Sequence, residues 1–401
     1  MKTLRIAGVM AGTSADGVDV AVMRIGPDWR WRLESLRHTG YTRTLRSAIL
    51  AAAAGQGGAA ELARLHAALG RRIGAAVRAA WPEAGLDAIA SHGQTVFHQG
   101  RHATLQLGDP ASIAALSGVA VISDFRAADI AQGGEGAPLV PWADNWLFGH
   151  RRRYRVVLNL GGIANLTLLP AGRDAARIRG WDTGPANMAL DALMEQISRG
   201  RQACDRGGAF AARGSVNPRL LASLLRHPFF RRPAPKSCGR EQFGVQFVRA
   251  LLARWGQLRP QDIAATLVAL TATTVARALP REACEVIVAG GGVRNRTLMR
   301  ALAGAAAAPA GGWLRSDALG VPAQGREAMA FALLGAAHLR GIPSNLPAVT
   351  GARRAVVLGS FTPCPAPGAI SSRPAVRIGA VARAGNRRKE TFLSGYASRH
   401  P

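Results

Sequence analysis

Apolar residues recur along the chain in two patterns, short continuous runs and longer stretches at helical spacing. The runs at residues 4–10 and 18–25 predict two strands joined by a tight turn, and residues 29–41 predict a third strand. Two helical stretches follow at residues 42–54 and 59–80. This alternation of strands and helices is typical of an α/β fold.

The middle of the chain repeats this opening pattern. An apolar run at residues 155–160 enters the Gly161-Gly162 turn, and a second apolar run at residues 163–167 leaves it. We interpret the repetition as an internal duplication of architecture. Short strands are also predicted at residues 86–91, 120–123 and 285–289, and helices at residues 185–196, 218–225, 242–255, 260–278, 294–305 and 326–340.

The duplication predicts two similar α/β domains. The first should span residues 1–150, with closing elements from residues 341–363, and the second should span residues 151–340. The composition then changes, because residues 364–401 are rich in Pro, Gly, Ser and Arg and carry seven Lys or Arg against the single Glu390. We predict a disordered basic tail there.

Composition limits the class of protein. Apolar residues make up 48% of the 401 residues, which is enough for packed cores, yet no apolar run is long enough to cross a bilayer. The chain enters a strand at residue 4 without a secretory leader, so we expect a cytoplasmic protein with no membrane partner. The cysteines lack zinc-site spacing and fit a reducing compartment; they are Cys204, Cys238, Cys284 and Cys364.

The net charge of +27 first suggests nucleic acid as a partner. Only three lysines contribute to it, and the arginines are scattered, with modest clusters at residues 151–153 and 387–389. Aromatic residues do not interleave with them as in a nucleic-acid-binding surface. We therefore predict no nucleic-acid partner and interpret the charge as attraction for anionic substrates. A basic nucleic-acid-binding protein is the alternative from another class.

Three glycine turns predict a nucleotide site. They are Gly12-Thr13-Ser14, Gly161-Gly162 and Gly290-Gly291-Gly292. Glycines and backbone N–H groups can surround phosphates, although each turn alone could simply reverse the chain. Neither a Walker phosphate loop nor a dinucleotide fingerprint is present. The remaining interpretation is a nucleotide held between two similar domains, with the first two turns at its phosphates and the third at its nucleoside.

Acidic residues are rare, and several lie in glycine turns or at strand ends. Asp16 and Asp19, beside the first turn, could hold Mg²⁺ directly or through water. Asp182 could act as a general base near a transferred phosphoryl group, or it could cap a helix that begins at Pro185. The same distribution includes Asp109, Asp124, Asp129 and Asp205.

A long polar loop at residues 108–139 supplies further candidates. Its Arg126 could clamp a substrate carboxylate or form a surface ion pair. His92 and His98, before this loop, lack a third ligand at metal spacing, so we prefer hydrogen-bonding roles for them. Glu327 opens the last predicted helix, where it could contact a ligand or interact with the helix dipole.

Together these segments resemble the anhydro-N-acetylmuramic acid kinase family of the actin/hexokinase/Hsp70-like ATPase superfamily. The resemblance covers about residues 4–362. It is carried by ordered motifs, namely Gly12-Thr13-Ser14-Ala15-Asp16-Gly17, Ser91-His92-Gly93-Gln94-Thr95, Leu107-Gly108-Asp109, Asp124-Phe125-Arg126, Gly136-Ala137-Pro138-Leu139, Asn159-Leu160-Gly161-Gly162-Ile163-Ala164-Asn165, Asp182-Thr183-Gly184-Pro185, His227-Pro228-Phe229-Phe230, Pro235-Lys236-Ser237, Gly290-Gly291-Gly292-Val293-Arg294-Asn295 and Glu327-Ala328-Met329-Ala330-Phe331-Ala332.

The resemblance implies two actin-like (ribonuclease H-like) domains with a nucleotide cleft between them. It implies a homodimeric kinase that uses ATP and Mg²⁺ to hydrolyse the 1,6-anhydro ring of 1,6-anhydro-N-acetylmuramic acid and phosphorylate O6, giving N-acetylmuramic acid 6-phosphate in peptidoglycan recycling. Asp182 would be the catalytic base. The other implied site residues are Gly12, Thr13, Ser14, Ala15, Asp16, Gly17, Val18, Asp19, Gly161, Gly162, Gly291 and Gly292 for ATP, Asp16 for the metal, and Arg126, Asp129 and Glu327 for the sugar.

Several positions depart from the family pattern. A methyl group at Ala186, where the family usually has Gly, could crowd the sugar beside Asp182, and Glu135, in place of Gln, adds negative charge to the polar loop. These departures leave two alternatives open, a kinase of the same fold acting on another sugar and a weakened paralogue. The other departures are Ala11 for Ser, Cys238 for Thr, Gln324 for Asp and Cys204-Asp205 for an aromatic-Asp pair.

Overall fold

Two β-sheets form the framework of the chain. The computed structural model describes residues 1–12, 14–234, 236–282, 284–305 and 311–364, so Thr13 and the predicted tail from residue 365 onward lie outside the described residues. The strands are β1 (Leu4–Ala11), β2 (Gly17–Ile25), β3 (Trp31–Gly40), β4 (Ala88–Gln99), β5 (Ala103–Leu107), β6 (Val121–Ser123), β7 (Arg155–Leu160), β8 (Ile163–Leu169), β9 (Arg179–Pro185), β10 (Glu285–Ala289), β11 (Trp313–Arg315) and β12 (Ser360–Thr362).

Helices connect and cover these strands. They are α1 (Arg43–Ala53), α2 (Ala59–Ala80), α3 (Pro110–Ser117), α4 (Ala127–Ala131), α5 (Val140–Leu147), α6 (Asn187–Ile197), α7 (Pro218–Leu224), α8 (Pro228–Arg231), α9 (Arg240–Phe243), α10 (Val245–Trp255), α11 (Pro260–Ala278), α12 (Arg296–Ala305), α13 (Arg326–Leu339) and α14 (Pro347–Thr350). In the described part of the chain, no helix is both long and apolar enough to span a membrane.

Both sheets have the same strand order. In the first, β3, β2 and β1 are antiparallel neighbours, and β4 and β6 continue the sheet parallel to β1. In the second, β9, β8 and β7 are antiparallel neighbours, and β10 and β11 continue it parallel to β7. The first sheet additionally pairs β5 with β4 and β12 with β6. The shared topology confirms the predicted α/β fold and its duplication.

The first sheet is covered by apolar side chains on both faces, because side chains alternate along each strand. Ile6 of β1 belongs to a core with Leu333 of α13, whereas Val9 belongs to a separate core with Ile73 of α2. A third apolar core covers the second sheet and includes residues of α6, α10 and α11. These cores fix the strand ends from which the glycine turns emerge.

The close approach of β1 and α13 depends on Gly8. A Cβ atom at Gly8 would lie 1.9 Å from the carbonyl oxygen of Ala328 and 2.4 Å from the nitrogen of Ala332. We expect Gly8→Ala to lower the free energy of unfolding by about 1–3 kcal/mol, because the added methyl group overpacks this contact. Urea denaturation measures the change. The control is Gly304→Ala, where a Cβ meets no atom within 4 Å; equal midpoints for the two variants would contradict the prediction.

Three predicted elements differ from the structure. β4 continues to Gln99 instead of ending at Ser91, because its second half pairs with β5, which the apolar pattern did not predict. The strand β9 continues through Pro185, so α6 begins two residues after the predicted helix start. Gly244 separates α9 from α10 within the helix predicted at residues 242–255.

Two C-terminal elements pack with the first sheet. The helix α13, which the predicted boundaries place in the second domain, packs on β1, β2 and β4. The strand β12, within the predicted closing elements at residues 341–363, pairs with β6. The domain boundaries at residues 150 and 340 stay predictions.

Candidate active site

Three polar side chains lie in a row across the antiparallel strands of the second sheet. Asn159 on β7 is paired with Asn165 on β8, and Asn165 is paired with Asp182 on β9. Residues directly opposite one another on neighbouring strands project from the same face of a sheet. All three line a cavity of about 280 Å³, so the register of these strands builds one polar wall of it.

The other walls of this cavity come from distant parts of the chain. Glu327 enters from the first turn of α13, and Arg101 and Glu135 enter from two loops associated with the first sheet. Lys236 lines it from the segment between α8 and α9. The cavity therefore combines carboxylates, amides and cations, groups that fix the orientation of a small polar ligand.

Asp182 is held by the segment that follows α8. Its backbone N–H donates to the carbonyl of Lys236 (2.9 Å), and its Oδ2 accepts from the backbone N–H of Cys238 (2.9 Å). Burial raises the pKa of Asp182 to about 6, although hydrogen bonds from Cys238 oppose the shift. Because Asp182 lies within β9 and Ala186 precedes α6, the helix-cap interpretation is wrong. Such a carboxylate can accept a proton near neutral pH.

Glu327 sits beside a buried ion pair. Its neighbour Arg326 donates through Nε to Oδ1 of Asp144 on α5 (2.9 Å) and makes a second hydrogen bond with Oδ2, which fixes this end of α13. Burial raises the pKa of Glu327, and the charge of Asp19 adds to that shift, whereas Arg326 and Arg126 oppose it. Glu327 thus lines the cavity and is close enough to Asp19, beside the first glycine turn, for their charges to interact.

Arg126 is held by groups of the protein. Its Nε donates to Nε2 of His92 (3.1 Å), and its Nη1 donates to the carbonyl of Gly136 (3.0 Å). Nδ1 of His92 lies 2.9 Å from the Gly93 carbonyl, so Nδ1 carries the ring proton. Burial lowers the pKa of His92 to about 3, which keeps the ring neutral. Arg126 interacts with Glu327 through its charge, and among the described residues it is not part of the cavity lining.

The prediction for Asp129 requires a correction. Its side chain is fully buried, and the carboxylate accepts hydrogen bonds from the N–H of Gly136 (2.8 Å), the amide of Asn345 (2.7 Å) and the hydroxyl of Thr350 (2.7 Å). The segment that we predicted as one long loop contains α3, β6 and α4, and Asp129 lies in α4. Asp129 thus joins α4 and the residues after it to the chain around residue 350 and stabilises a wall of the cavity. We no longer propose a sugar contact for it, because protein donors occupy both of its oxygens.

The first glycine turn is a compact hairpin between β1 and β2. The N–H of Ala15 donates to the carbonyl of Gly12 (3.1 Å), and the side-chain amide of Gln94 donates to the same carbonyl (3.1 Å). Gly17 and Val18 begin β2 and are buried. Ser14 is exposed at the tip of the turn. The geometry leaves the outer residues of the turn accessible to an anion.

The second and third turns lie against each other. The N–H groups of Ala186 and Asn187 donate to the carbonyls of Gly162 and Gly161 (2.9 and 3.1 Å), which fixes the second turn at the start of α6. A Cβ atom at Gly292 would lie 2.6 Å from the Cβ of Leu160, so only glycine allows this approach. A Cβ atom at Gly291 would meet no atom within 4 Å, which leaves space beside the third turn.

The side chain of Gln324 lies near both the first and the third turn. Its Oε1 accepts from Nη2 of Arg294 after the third turn (3.2 Å). Burial raises the pKa of Asp19, beside the first turn, and Gln324 is close enough to that carboxyl to oppose the shift. The third turn is thus near the first turn as well as the second, as the binding of a single nucleotide would require. ATP binding by the predicted residues stays a prediction.

Asp16 provides an accessible carboxylate beside the first turn. Asp19 is instead paired with His38 (2.9 Å). Within the described residues, no group of three His, Cys, Asp or Glu could hold a metal ion by itself. This donor set fits Mg²⁺, because that ion usually keeps several waters and takes its remaining ligands from one or two carboxylates and the phosphates of a substrate.

Two departures from the family pattern have different environments from those we expected. Ala186 is buried in the apolar core of the second sheet and is not part of the described cavity lining, so it does not crowd the sugar site that we predicted. Glu135 does line the cavity, and Arg101 offsets its charge through an ion pair (2.7 Å). A further departure, Cys238 in place of Thr, lies directly beside Asp182.

Other aspartates of the predicted set have structural roles. Asp109 caps α3 by accepting from the N–H of Ser112 (3.1 Å), and Asp205 accepts from the N–H of Phe210 (2.7 Å). Conversely, three residues that line the cavity had no predicted role: Asn159, Asn165 and Lys236. The two asparagines occupy strand positions, and the cross-strand register that brings them to Asp182 was the missing signal.

Comparison with known proteins gives one consistent result. A sequence model described as anhydro-N-acetylmuramic acid kinase matches residues 4–364. A Bordetella avium protein of that name is 45% identical over 374 residues, covering 89% of this chain and 95% of its own length. Another, from Thiobacillus denitrificans, is 42% identical over 366 residues, covering 89% of this chain and 96% of its own length.

Solved structures of more distant proteins also align. Component A of (R)-2-hydroxyglutaryl-CoA dehydratase from Acidaminococcus fermentans aligns with a TM-score of 0.43 at 12% identity, covering 82% of this chain and 96% of that one. A ROK family glucokinase from Streptomyces griseus, in complex with glucose and AMPPNP, aligns with a TM-score of 0.37 at 14% identity, covering 82% of this chain and 98% of that one.

Proposed function

This chain belongs to the anhydro-N-acetylmuramic acid kinase family, and from that premise we propose that it uses ATP to open 1,6-anhydro-N-acetylmuramic acid and phosphorylate it to N-acetylmuramic acid 6-phosphate. The observation that carries the proposal is the half-buried Asp182, with its raised pKa, beside Asn159 and Asn165 on the wall of a polar cavity. No observation favours another sugar, a weakened paralogue or a nucleic-acid-binding protein.

In the proposed reaction, Asp182 accepts a proton from a water molecule that attacks the anomeric carbon of the sugar. The new C1–oxygen bond displaces O6, so the 1,6-anhydro bond breaks. O6 then attacks the γ-phosphorus of ATP, ADP leaves, and Asp182 returns its proton to solvent. Asn159 and Asn165 are positioned to orient the sugar or the attacking water by hydrogen bonds. One proton acceptor thus serves both hydrolysis and phosphoryl transfer.

The glycine turns would hold the nucleotide. Residues 12–19 and 161–162 would contact its phosphates, and residues 291–292 its nucleoside. Mg²⁺ held by Asp16 and the phosphates would neutralise charge on the transferred phosphoryl group. We retain Glu327 as a sugar contact because it lines the cavity, and we assign Arg126 to the positioning of Glu327 through its charge.

The biological setting follows from the same premise. A kinase that consumes ATP and a fragment of the cell wall would work in the cytoplasm, in the recycling of peptidoglycan. A homodimer is proposed from the family resemblance. The family match ends at residue 364, and the proposed chemistry uses only residues within it.

The proposal predicts sugar-dependent ADP release by the purified protein. The product should be the ring-opened 6-phosphate. Because Asp182 must be deprotonated to accept a proton, kcat/KM should fall as the pH decreases through about 6, instead of near the ordinary value of 3.8. A coupled ADP assay across this range, with mass spectrometry of the product, measures both. Absence of sugar-dependent turnover in folded, ATP-binding protein would contradict the proposal.

A further inference from the structure

Among the described residues, four cationic side chains line the cavity. Arg326 is buried and paired with Asp144. The Nζ of Lys236 donates to the backbone carbonyl of Phe229 (3.2 Å) and lies 4.7 Å from the centroid of its ring. The other two cations of the lining are Arg101 and Arg232, and we consider these two as partners for a carboxylate that a ligand brings into the cavity.

Arg101 is already bonded to a carboxylate. Its Nε donates to Oε1 of Glu135 (2.7 Å), and both side chains line the cavity while remaining 62% and 42% exposed. The backbone around them is fixed, since the N–H of Arg101 donates to the carbonyl of Gly134 (3.1 Å) and the N–H of Glu135 donates to that of Thr350 (2.8 Å). The backbone thus holds both residues at the rim, where the guanidinium already binds one carboxylate.

The exposure of this ion pair matters for its strength. An ion pair between solvent-exposed side chains contributes little to stability, so an incoming carboxylate can exchange with Glu135 at small cost. Glu135 cannot leave the rim, because its backbone is bonded to Thr350. After displacement, the charge of Glu135 would repel the ligand's carboxylate. Glu135 thus competes with the ligand's carboxylate for the guanidinium of Arg101.

The proposed substrate carries a matching group, because muramic acid differs from glucosamine by a lactyl ether that ends in a carboxylate. We propose that Arg101 recognises this lactyl carboxylate and that Glu135 holds the guanidinium until the substrate displaces it. The inference rests on the proposed function. It assigns the pair Arg101 and Glu135 as the determinant that separates the acidic sugar from its neutral analogue.

The test compares two sugars, 1,6-anhydro-N-acetylmuramic acid and 1,6-anhydro-N-acetylglucosamine, by calorimetric binding and by ADP release. Arg101→Ala should weaken binding of the acidic sugar by about tenfold or more and leave the neutral sugar unchanged, because a charge-assisted bond is lost. Glu135→Gln keeps the shape of the side chain and removes its charge, so it should tighten binding of the acidic sugar by about twofold to fivefold. Arg232→Ala is the matched control and should show no such selectivity.

The outcomes separate this inference from the proposed function. If Arg101→Ala weakens binding of the two sugars equally, the proposed role of Arg101 is wrong. The same holds if Arg232→Ala, instead of Arg101→Ala, selectively weakens binding of the acidic sugar. In both cases sugar-dependent turnover by the unaltered chain would still support the proposed kinase activity. Weaker binding of the acidic sugar by Glu135→Gln would overturn the role of Glu135. Failure of the unaltered, ATP-binding chain to bind either sugar would overturn both proposals.

Discussion

The Asp182→Asn variant should lose about 10²–10⁴-fold in sugar-dependent ADP release while still binding the sugar and ATP. An amide oxygen at this position can still accept the hydrogen bond that the N–H of Cys238 donates to Asp182, so the local geometry is kept. The amide cannot accept a proton from the attacking water. The loss should therefore fall on kcat, and direct binding measurements should show sugar affinity close to that of the unaltered chain.

A second variant controls for general damage. Asp109→Asn alters a helix cap in the first half of the chain, away from the described cavity lining, and asparagine also caps helices well. It should keep nearly full activity. A variant Asp182→Asn that retained more than about a tenth of the turnover would contradict the assignment of Asp182 as the base.

The Asp144→Ala variant should lower the free energy of unfolding by about 3–5 kcal/mol. Asp144 and Arg326 are buried to 0% and 3% exposure, so removal of the carboxylate leaves an uncompensated guanidinium in the core. The two residues are 182 positions apart in the chain, and their bond joins α5 to the start of α13. Urea denaturation followed by circular dichroism measures the change.

A double variant separates the charge from the packing. Asp144→Leu combined with Arg326→Met replaces the buried pair by apolar side chains, and stability should recover to near that of the unaltered chain. Activity should stay lower, because the first turn of α13 that carries Glu327 loses its anchor. A loss below about 1 kcal/mol in Asp144→Ala would show that the guanidinium finds another partner or water.

Local patterns were sufficient to predict most of the framework. The helix at residues 59–80 was predicted with the bounds of α2, because its apolar residues recur at helical spacing. The duplication was predicted from two strand–glycine turn–strand segments, and the strand order of both sheets bears it out. Continuous apolar runs indicate buried strands, which explains why β1 and β10 were predicted and β5, a short and mostly accessible strand that alternates apolar and polar residues, was not.

Long-range pairings were the part of the site that the sequence could not supply. Asp129 looked like a ligand contact because the sequence predicted a polar loop there, whereas it lies in α4 and its partners Asn345 and Thr350 are more than 200 residues away. The family motifs pointed to Asp182, yet its raised pKa depends on burial. Motifs identify chemistry-bearing residues, and only the packed structure distinguishes those that line a cavity from those that hold its walls.

The hydrogen bonds that hold Asp182 determine how this chain would lose its activity. β9 is an outermost strand of the second sheet in the described residues, and the base it carries is bonded to residues 236 and 238 of a separate segment. That segment is connected to the rest of the fold through exposed residues around Arg231, a site suited to trypsin-like proteases. A single cleavage there would loosen the segment that supports the base while the apolar cores of both sheets stayed packed, so we expect inactivation to precede unfolding.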